Sequence, residues 1–334
     1  MARIVFGAAL SHSPLLALDW TEWRRRAEAD LANQQLNLSD GSFVSYEELA
    51  DMTGSPWAEL ATEVEFKAIA HRCQEGLNRI ADALDAADPD IVMIIGDDQG
   101  ELFSLSNMPA ISVYYGDEIA TNDIWGRSDK PDWMRQLAVG YAMDEVRRFS
   151  AAPLMARDLI EGLLDRHVDI GAASAVEDPV QAGFGHAFGF IIKRLFRTRS
   201  YPVLPILLNT YFLPNRMRAQ RAYDVGLHIR EALAASPIDA RTAVIASGGL
   251  SHFIVDEELD RQVLAGLEPG RQDLLTSIPP GALNSGSSEI LNWIMAAAAS
   301  SHLPLSWTEY EPVRRTAAGT GIGIGIACWG ASDR

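Results

Sequence analysis

Four short polar turns hold most of the side chains in this 334-residue chain that could do chemistry. They read SHSP with His12, GDDQGE with Asp97, Asp98, Gln99 and Glu101, GFGHAFG with His186, and SGGLSHF with His252. Of the seven histidines, three stand in these Gly- and Ser-rich turns rather than on helical surfaces. Imidazole and carboxylate are the donors of Fe(II), Zn(II) and Mn(II) sites, and a facial set with open positions suits chemistry on a bound molecule. The stretch IVMIIGDDQGELF, residues 91–103, contains no Lys or Arg. Acids gathered at the end of a buried strand repel one another, and a divalent cation would compensate them.

Each residue also has a plainer role. Asp97 or Asp98 can cap the turn after the strand, and His12 can bond local backbone groups. His71 and His228 fall in helical patterns, and His167 and His302 lie near helix ends, where an imidazole meets solvent or last-turn carbonyls. Ser251 follows two glycines, but its surroundings do not match a hydrolase nucleophile elbow. GTGIGIGIACWG has the glycines of a dinucleotide fingerprint, yet it is C-terminal and no later strand supplies the ribose-binding acid.

The elements that must position these turns follow an α/β rhythm. RIVFGAAL reads as a first strand, and Pro14 restricts Ser13 to an extended or turn conformation, so His12 leaves the strand rather than entering a helix. Phe66, Ile69, Cys73, Leu77, Ile80 and Leu84 recur at helical spacing, and the strand IVMII follows at once. Further strands are expected at AISVY, VDIGAAS, YPVLPILLNTYF, TAVIASGG and the C-terminal Gly/Ile alternation. Helices are expected at 134–148, 154–166, 215–236 and SSEILNWIMAAAAS, the last with Ser287 or Ser288 as its cap. The expectation is one α/β domain over 1–334, with a central mixed sheet flanked by helices and a helical insert at about 115–166. The active site is placed at strand-end loops, where open α/β sheets bind ligands.

Bulk properties narrow the partners. A formal net charge of −17 without a long basic run argues against nucleic acid. Cys73 and Cys328 are too far apart to define a zinc knuckle or a disulfide framework and read as small buried hydrophobes. The N-terminal segment lacks signal-peptide features and no apolar run is long enough for a bilayer, so a cytoplasmic protein without a membrane partner is expected.

The four turns, in this order, resemble those of the class III extradiol ring-cleavage dioxygenases, the catalytic beta-subunit family of protocatechuate 4,5-dioxygenase. The branch acting on 3-O-methylgallate looks most similar. By that resemblance SHSP supplies a metal ligand, His12, and GFGHAFG supplies the acid/base His186. GGLSHF followed by VDEELD resembles the segment carrying the glutamate ligand, placed at Glu258 with Glu257 one residue away. His252 becomes a residue that orients a bound oxygen ligand or a carboxylate. The family's second ligand histidine is replaced here by Gln99, whose amide oxygen is the candidate donor, with Asp98 and Glu101 as alternatives. The resemblance implies Fe(II), O2 and ring opening of a catechol- or gallate-type aromatic acid. It also implies a homodimer or a small helical partner subunit. A Zn-dependent hydrolase and a metal-free binding protein on the same fold are the competing readings.

Overall fold

The computed structural model describes residues 1–330. Nine strands form one mixed sheet: β1 (Arg3–Leu10), β2 (Ile91–Asp97), β3 (Ile111–Tyr114), β4 (Gly171–Ala173), β5 (Val203–Leu208), β6 (Arg241–Ser247), β7 (His252–Ile254), β8 (Leu305–Arg314) and β9 (Thr320–Trp329). Their order is β7-β9-β1-β6-β2-β5-β3-β4, and β8 pairs with β9. The central strands β1, β6, β2 and β5 are mutually parallel, whereas β9 runs antiparallel to β1 and β3 antiparallel to β5. This is the expected α/β architecture, with a mixed central sheet flanked by helices.

Both faces of the sheet are covered, so its central strands are continuous apolar runs. In β2 the side chains alternate: Val92 and Ile94 enter one core, Met93 and Ile95 the other. The first core packs against helices α2 (Glu63–Ala87) and α4 (His186–Leu195). The second packs against α3 (Pro153–Leu164), α5 (Ala219–Ala235) and α7 (Ile290–Ser300). Helix α2 buries the stripe Phe66, Ile69, Cys73, Leu77, Ile80 and Leu84 that its spacing predicts. Helix α7 is buried at every position, as an apolar helix without a polar face must be. Each fully buried Leu, Ile or Phe in these layers contributes about 1.5–3 kcal/mol.

The register decides where the chemistry collects. Leu10 pairs with Ser247, Ser247 with Gly96, and Asp97 with Leu208. The carboxyl ends of the four parallel strands therefore stop along one line, and the turns holding His12, Asp97 and Gly248 open from it side by side.

Residues 115–166 differ in detail from the expected helices. A helix spans Asp132–Gly140, shorter than 134–148, and Arg148–Ser150 instead pairs as a strand with Glu118–Ala120. The helix stops where Tyr141, Ala142 and Met143 turn into the core, with the Tyr141 hydroxyl donating to the His12 carbonyl at 2.5 Å. The apolar helix near 290 starts later than its Ser residues suggest, because Ser285–Glu289 form a 3-10 turn before it.

Helix α1 (Trp23–Leu31) is tied to the sheet by a buried ion pair. Arg315 donates to both oxygens of Asp30 at 2.8 and 3.0 Å, and the Thr320 hydroxyl donates to the same carboxylate at 2.8 Å. Removing one member of such a pair strands a buried charge. Asp30→Ala should lower unfolding free energy by about 3–5 kcal/mol in urea titration. Arg72→Ala, which breaks a half-exposed pair with Glu311, should cost less than about 1 kcal/mol.

Candidate metal centre

Four buried side chains meet above the strand ends. His12, Asp97, His186 and Glu289 each offer a ligand atom, and these atoms all lie within 4.8 Å of one another. His12 leaves β1, Asp97 ends β2, His186 opens α4, and Glu289 closes the 3-10 turn that leads into α7. The cavity in front of them is lined by Trp125, Tyr141, Tyr211 and Phe253 as well as His12, His186 and Glu289, and holds about 160 Å³.

Hydrogen bonding assigns the His12 tautomer. The Ser247 hydroxyl donates its single proton to the Ala187 carbonyl at 2.6 Å. Ser247 Oγ, 3.0 Å from His12 Nδ1, must therefore accept from that nitrogen. A neutral His12 then carries its lone pair on Nε2, which faces Glu289 Oε2 at 3.2 Å. A lone pair against a carboxylate oxygen is unfavourable unless a proton or a cation lies between them. This is the orientation that metal-bound imidazoles take when their other nitrogen is anchored.

Asp97 and Glu289 are held together by donors. Gln99 Nε2 donates to Asp97 Oδ2 at 2.9 Å and to Glu289 Oε1 at 3.1 Å. The Gly249 amide donates to Glu289 Oε2 at 2.6 Å, and Asn292 Nδ2 to Asp97 Oδ1 at 3.2 Å. Burial and the Glu289 charge raise the Asp97 pKa. Burial would also raise Glu289, but the His12 and His252 imidazoles outweigh it and hold the carboxyl well below its usual range. Two carboxylates with two imidazoles fit a divalent ion of the kind that accepts both donor types, and such an ion would relieve the carboxylate repulsion.

His186 is held by a separate acid. Its Nδ1 lies 2.6 Å from Glu101 Oε1, which also accepts the His186 backbone N–H at 3.1 Å. Burial alone would lower this imidazole, yet the Glu101 carboxylate raises its pKa to about 9. Gly185 makes the contact possible, since a Cβ there would lie 1.9 Å from the Glu101 carboxyl. Trp125 and Tyr141 frame the ring, with centroids at 5.5 and 5.6 Å.

The expected site residues fall into two groups. His12 and His186 lie in the cluster, and Gln99 and His252 touch it. Gln99 presents its amide nitrogen to both carboxylates, because its oxygen there would meet like charge. His252 anchors Nδ1 on the Leu250 carbonyl at 2.8 Å and sets Nε2 3.4 Å from Glu289 Oε1. Glu258 stands apart, exposed on the first turn of helix α6 (Glu257–Gly266), and Glu257 pairs with Arg314 and Arg261. Among the alternatives in the acidic turn, Asp98 caps it, accepting the N–H groups of Gly100, Glu101, Leu102 and Phe103. Burial and then Glu101 push its carboxyl up to about 6. Asp97 and Glu289 bring the carboxylates that the sequence reading assigned elsewhere. Glu289 did leave a signal: it is the one acid in SSEILNWIMAAAAS, whose remaining residues are apolar, small or amide-bearing, and a buried acid there needs partners.

A model of the catalytic LigB subunit of aromatic ring-opening dioxygenase matches residues 60–321. The chain belongs to this family of class III extradiol ring-cleavage dioxygenases. Comparison with curated proteins finds no match. The matched span includes Asp97, His186 and Glu289, while His12 lies ahead of it and enters the cluster through β1.

Two measurements test this geometry. In anaerobic metal titrations, Glu289→Gln should weaken Fe(II) binding by more than the roughly 10- to 100-fold typical of outer partners, and Glu258→Gln should leave it unchanged. The reverse order would move the site to α6. In the metal-free protein, Glu101→Gln should lower the His186 pKa from about 9, read by NMR of the imidazole. The raised folded pKa means that the His186 pairing stabilises the fold fully below about 6.5 and loses that contribution as pH rises through 9. The variant should flatten that part of the stability profile.

Proposed function

We infer that this protein is a non-haem Fe(II)-dependent extradiol dioxygenase that opens the ring of a catechol- or gallate-type aromatic acid with O2, such as 3-O-methylgallate or a relative. The observation that carries the reading is the cluster of His12, Asp97, His186 and Glu289 within 4.8 Å, at the cavity of a ring-opening dioxygenase family member. Bound Fe(II) would supply a redox-active Lewis acid for neighbouring ring hydroxyls and for oxygen. His12, Asp97 and Glu289 would hold it, with Gln99 and His252 fixing Glu289 through Oε1 and the Gly249 amide through Oε2.

The remaining work falls to His186. Its Nδ1 is committed to Glu101, so Nε2 is the atom that can take a proton from a substrate hydroxyl and return it later. The carboxylates of Asp97 and Glu289 both raise its pKa. A divalent cation between them would offset that influence and bring the imidazole nearer to neutral pH, where proton transfer in both directions is efficient. Trp125 and Tyr141 wall the cavity from within 115–166, which supports a single catalytic domain whose insert closes its own pocket without a helper subunit.

Oxygen uptake by anaerobically Fe(II)-loaded protein should follow addition of 3-O-methylgallate, gallate or protocatechuate, with a ring-opened product by absorbance and mass. His186→Ala should retain iron and lose about 10²- to 10⁴-fold in rate. Turnover that persists without oxygen would instead mark a hydrolase.

A further inference from the structure

Arg26 lines the site cavity and, among the described residues, has no ion-pair partner. Its neighbours on α1 do: Arg24 meets Glu63 at 3.2 Å and Arg25 meets Glu22 at 2.9 Å. Arg26 is turned inward by spacing. Trp23, fully buried, lies three residues before it and Asp30, also buried, four residues after it, so all three share one helix face. Of the two acids four residues away along that face, Glu22 is paired with Arg25 and Asp30 has both oxygens engaged by Arg315. Arg26 Nε is therefore buried without an acceptor, while the guanidinium carbon sits 5.6 Å from the Trp133 ring centroid.

A buried guanidinium donor without an acceptor is costly, and an anion is the partner that relieves it. The cavity thus has an acidic wall suited to a cation and, on another part of its lining, an arginine suited to an anion. Its volume of about 160 Å³ is close to that of a cavity that accepts one benzene-sized ring. We propose that Arg26 is the specificity-determining residue of this site, receiving a carboxylate on the same ring whose neighbouring hydroxyls face His12, Asp97 and Glu289. This rests on the ring-opening reading for the hydroxyl end. The arginine end stands on Arg26 itself, which lies outside the residues that match the family.

The test is anaerobic isothermal titration of Fe(II)-loaded protein with protocatechuate, catechol and benzoate, beside Arg26→Gln and Arg26→Lys. Wild-type protein should bind protocatechuate at least about 10-fold tighter than catechol. Arg26→Gln should weaken protocatechuate and benzoate by about 10- to 100-fold and leave catechol within about twofold. Arg26→Lys, which keeps the charge and loses the planar fork, should fall between. Unchanged catechol affinity also shows that the variant is folded. The proposal is overturned if Arg26→Gln weakens all three ligands alike, if it weakens none, or if wild-type protein shows no carboxylate preference. Oxygen uptake on the same samples separates the two readings. A carboxylate preference lost in Arg26→Gln, without ring opening, keeps the anion subsite and retires the dioxygenase. Ring opening with the preference intact in Arg26→Gln does the opposite.

Discussion

The site depends on keeping two buried carboxylates, Asp97 and Glu289, beside each other. In a low-dielectric interior that juxtaposition is repulsive, and one of the pair tends to neutralise. Here the surroundings divide the pair unequally. Glu289 has two imidazoles and a backbone N–H, and its carboxyl is driven down. Asp97 has two amide donors, but burial and then the Glu289 charge drive its carboxyl up. Gln99 touches both acids and so bridges them. An imidazole in its place would present one nitrogen; the amide presents two protons, which suits two carboxylates.

The sheet makes this arrangement rigid. Asp97 is still within β2, and Ser247, which anchors His12, still within β6. His186 begins α4, whose start is pressed so closely on β2 that a Cβ on Gly96 would lie 3.0 Å from that of Ala187. Side chains on strand ends and helix starts are placed with less freedom than those on long loops. Glu101, like Gln99, reaches the site from the irregular segment after β2, and its ion pair with His186 fixes both groups at once.

Much of this was legible in the sequence because strands and turns are local. Apolar runs that stop at SHSP, GDDQGE and SGGLSHF mark strand ends directly, and the α2 stripe follows from helical periodicity. The partition of the acidic turn was not legible. Asp97 and Asp98 are adjacent and chemically alike; only the pleat, which turns successive side chains to opposite sides, sends one to the cluster and the other to cap the turn. Glu258 is the ligand that the resemblance of GGLSHF and VDEELD implies, a short distance along the chain from His252. Glu289 reaches the cluster instead through the packing of α7 across the sheet, a contact nearly 200 residues from Asp97 that no local pattern encodes. Arg26 was hidden in RRR, where three like residues differ only in which way the helix turns them.

The net charge of −17 opposes the proposed anionic substrate, but distance resolves the conflict. At physiological ionic strength the field of surface acids is screened over about 8 Å, whereas groups lining a small cavity with low-dielectric walls act on its contents with less screening. Inside, the acids of the cluster are matched by imidazoles and by the cation they are suited to hold. Arg315 is matched by Asp30, which leaves Arg26 as the unmatched charge on that side. A ring with hydroxyls at one end and a carboxylate at the other can satisfy both walls in one orientation only. The same two contacts that bind such a ring would therefore also align it for attack, which is how binding at a remote substituent contributes to rate as well as to affinity.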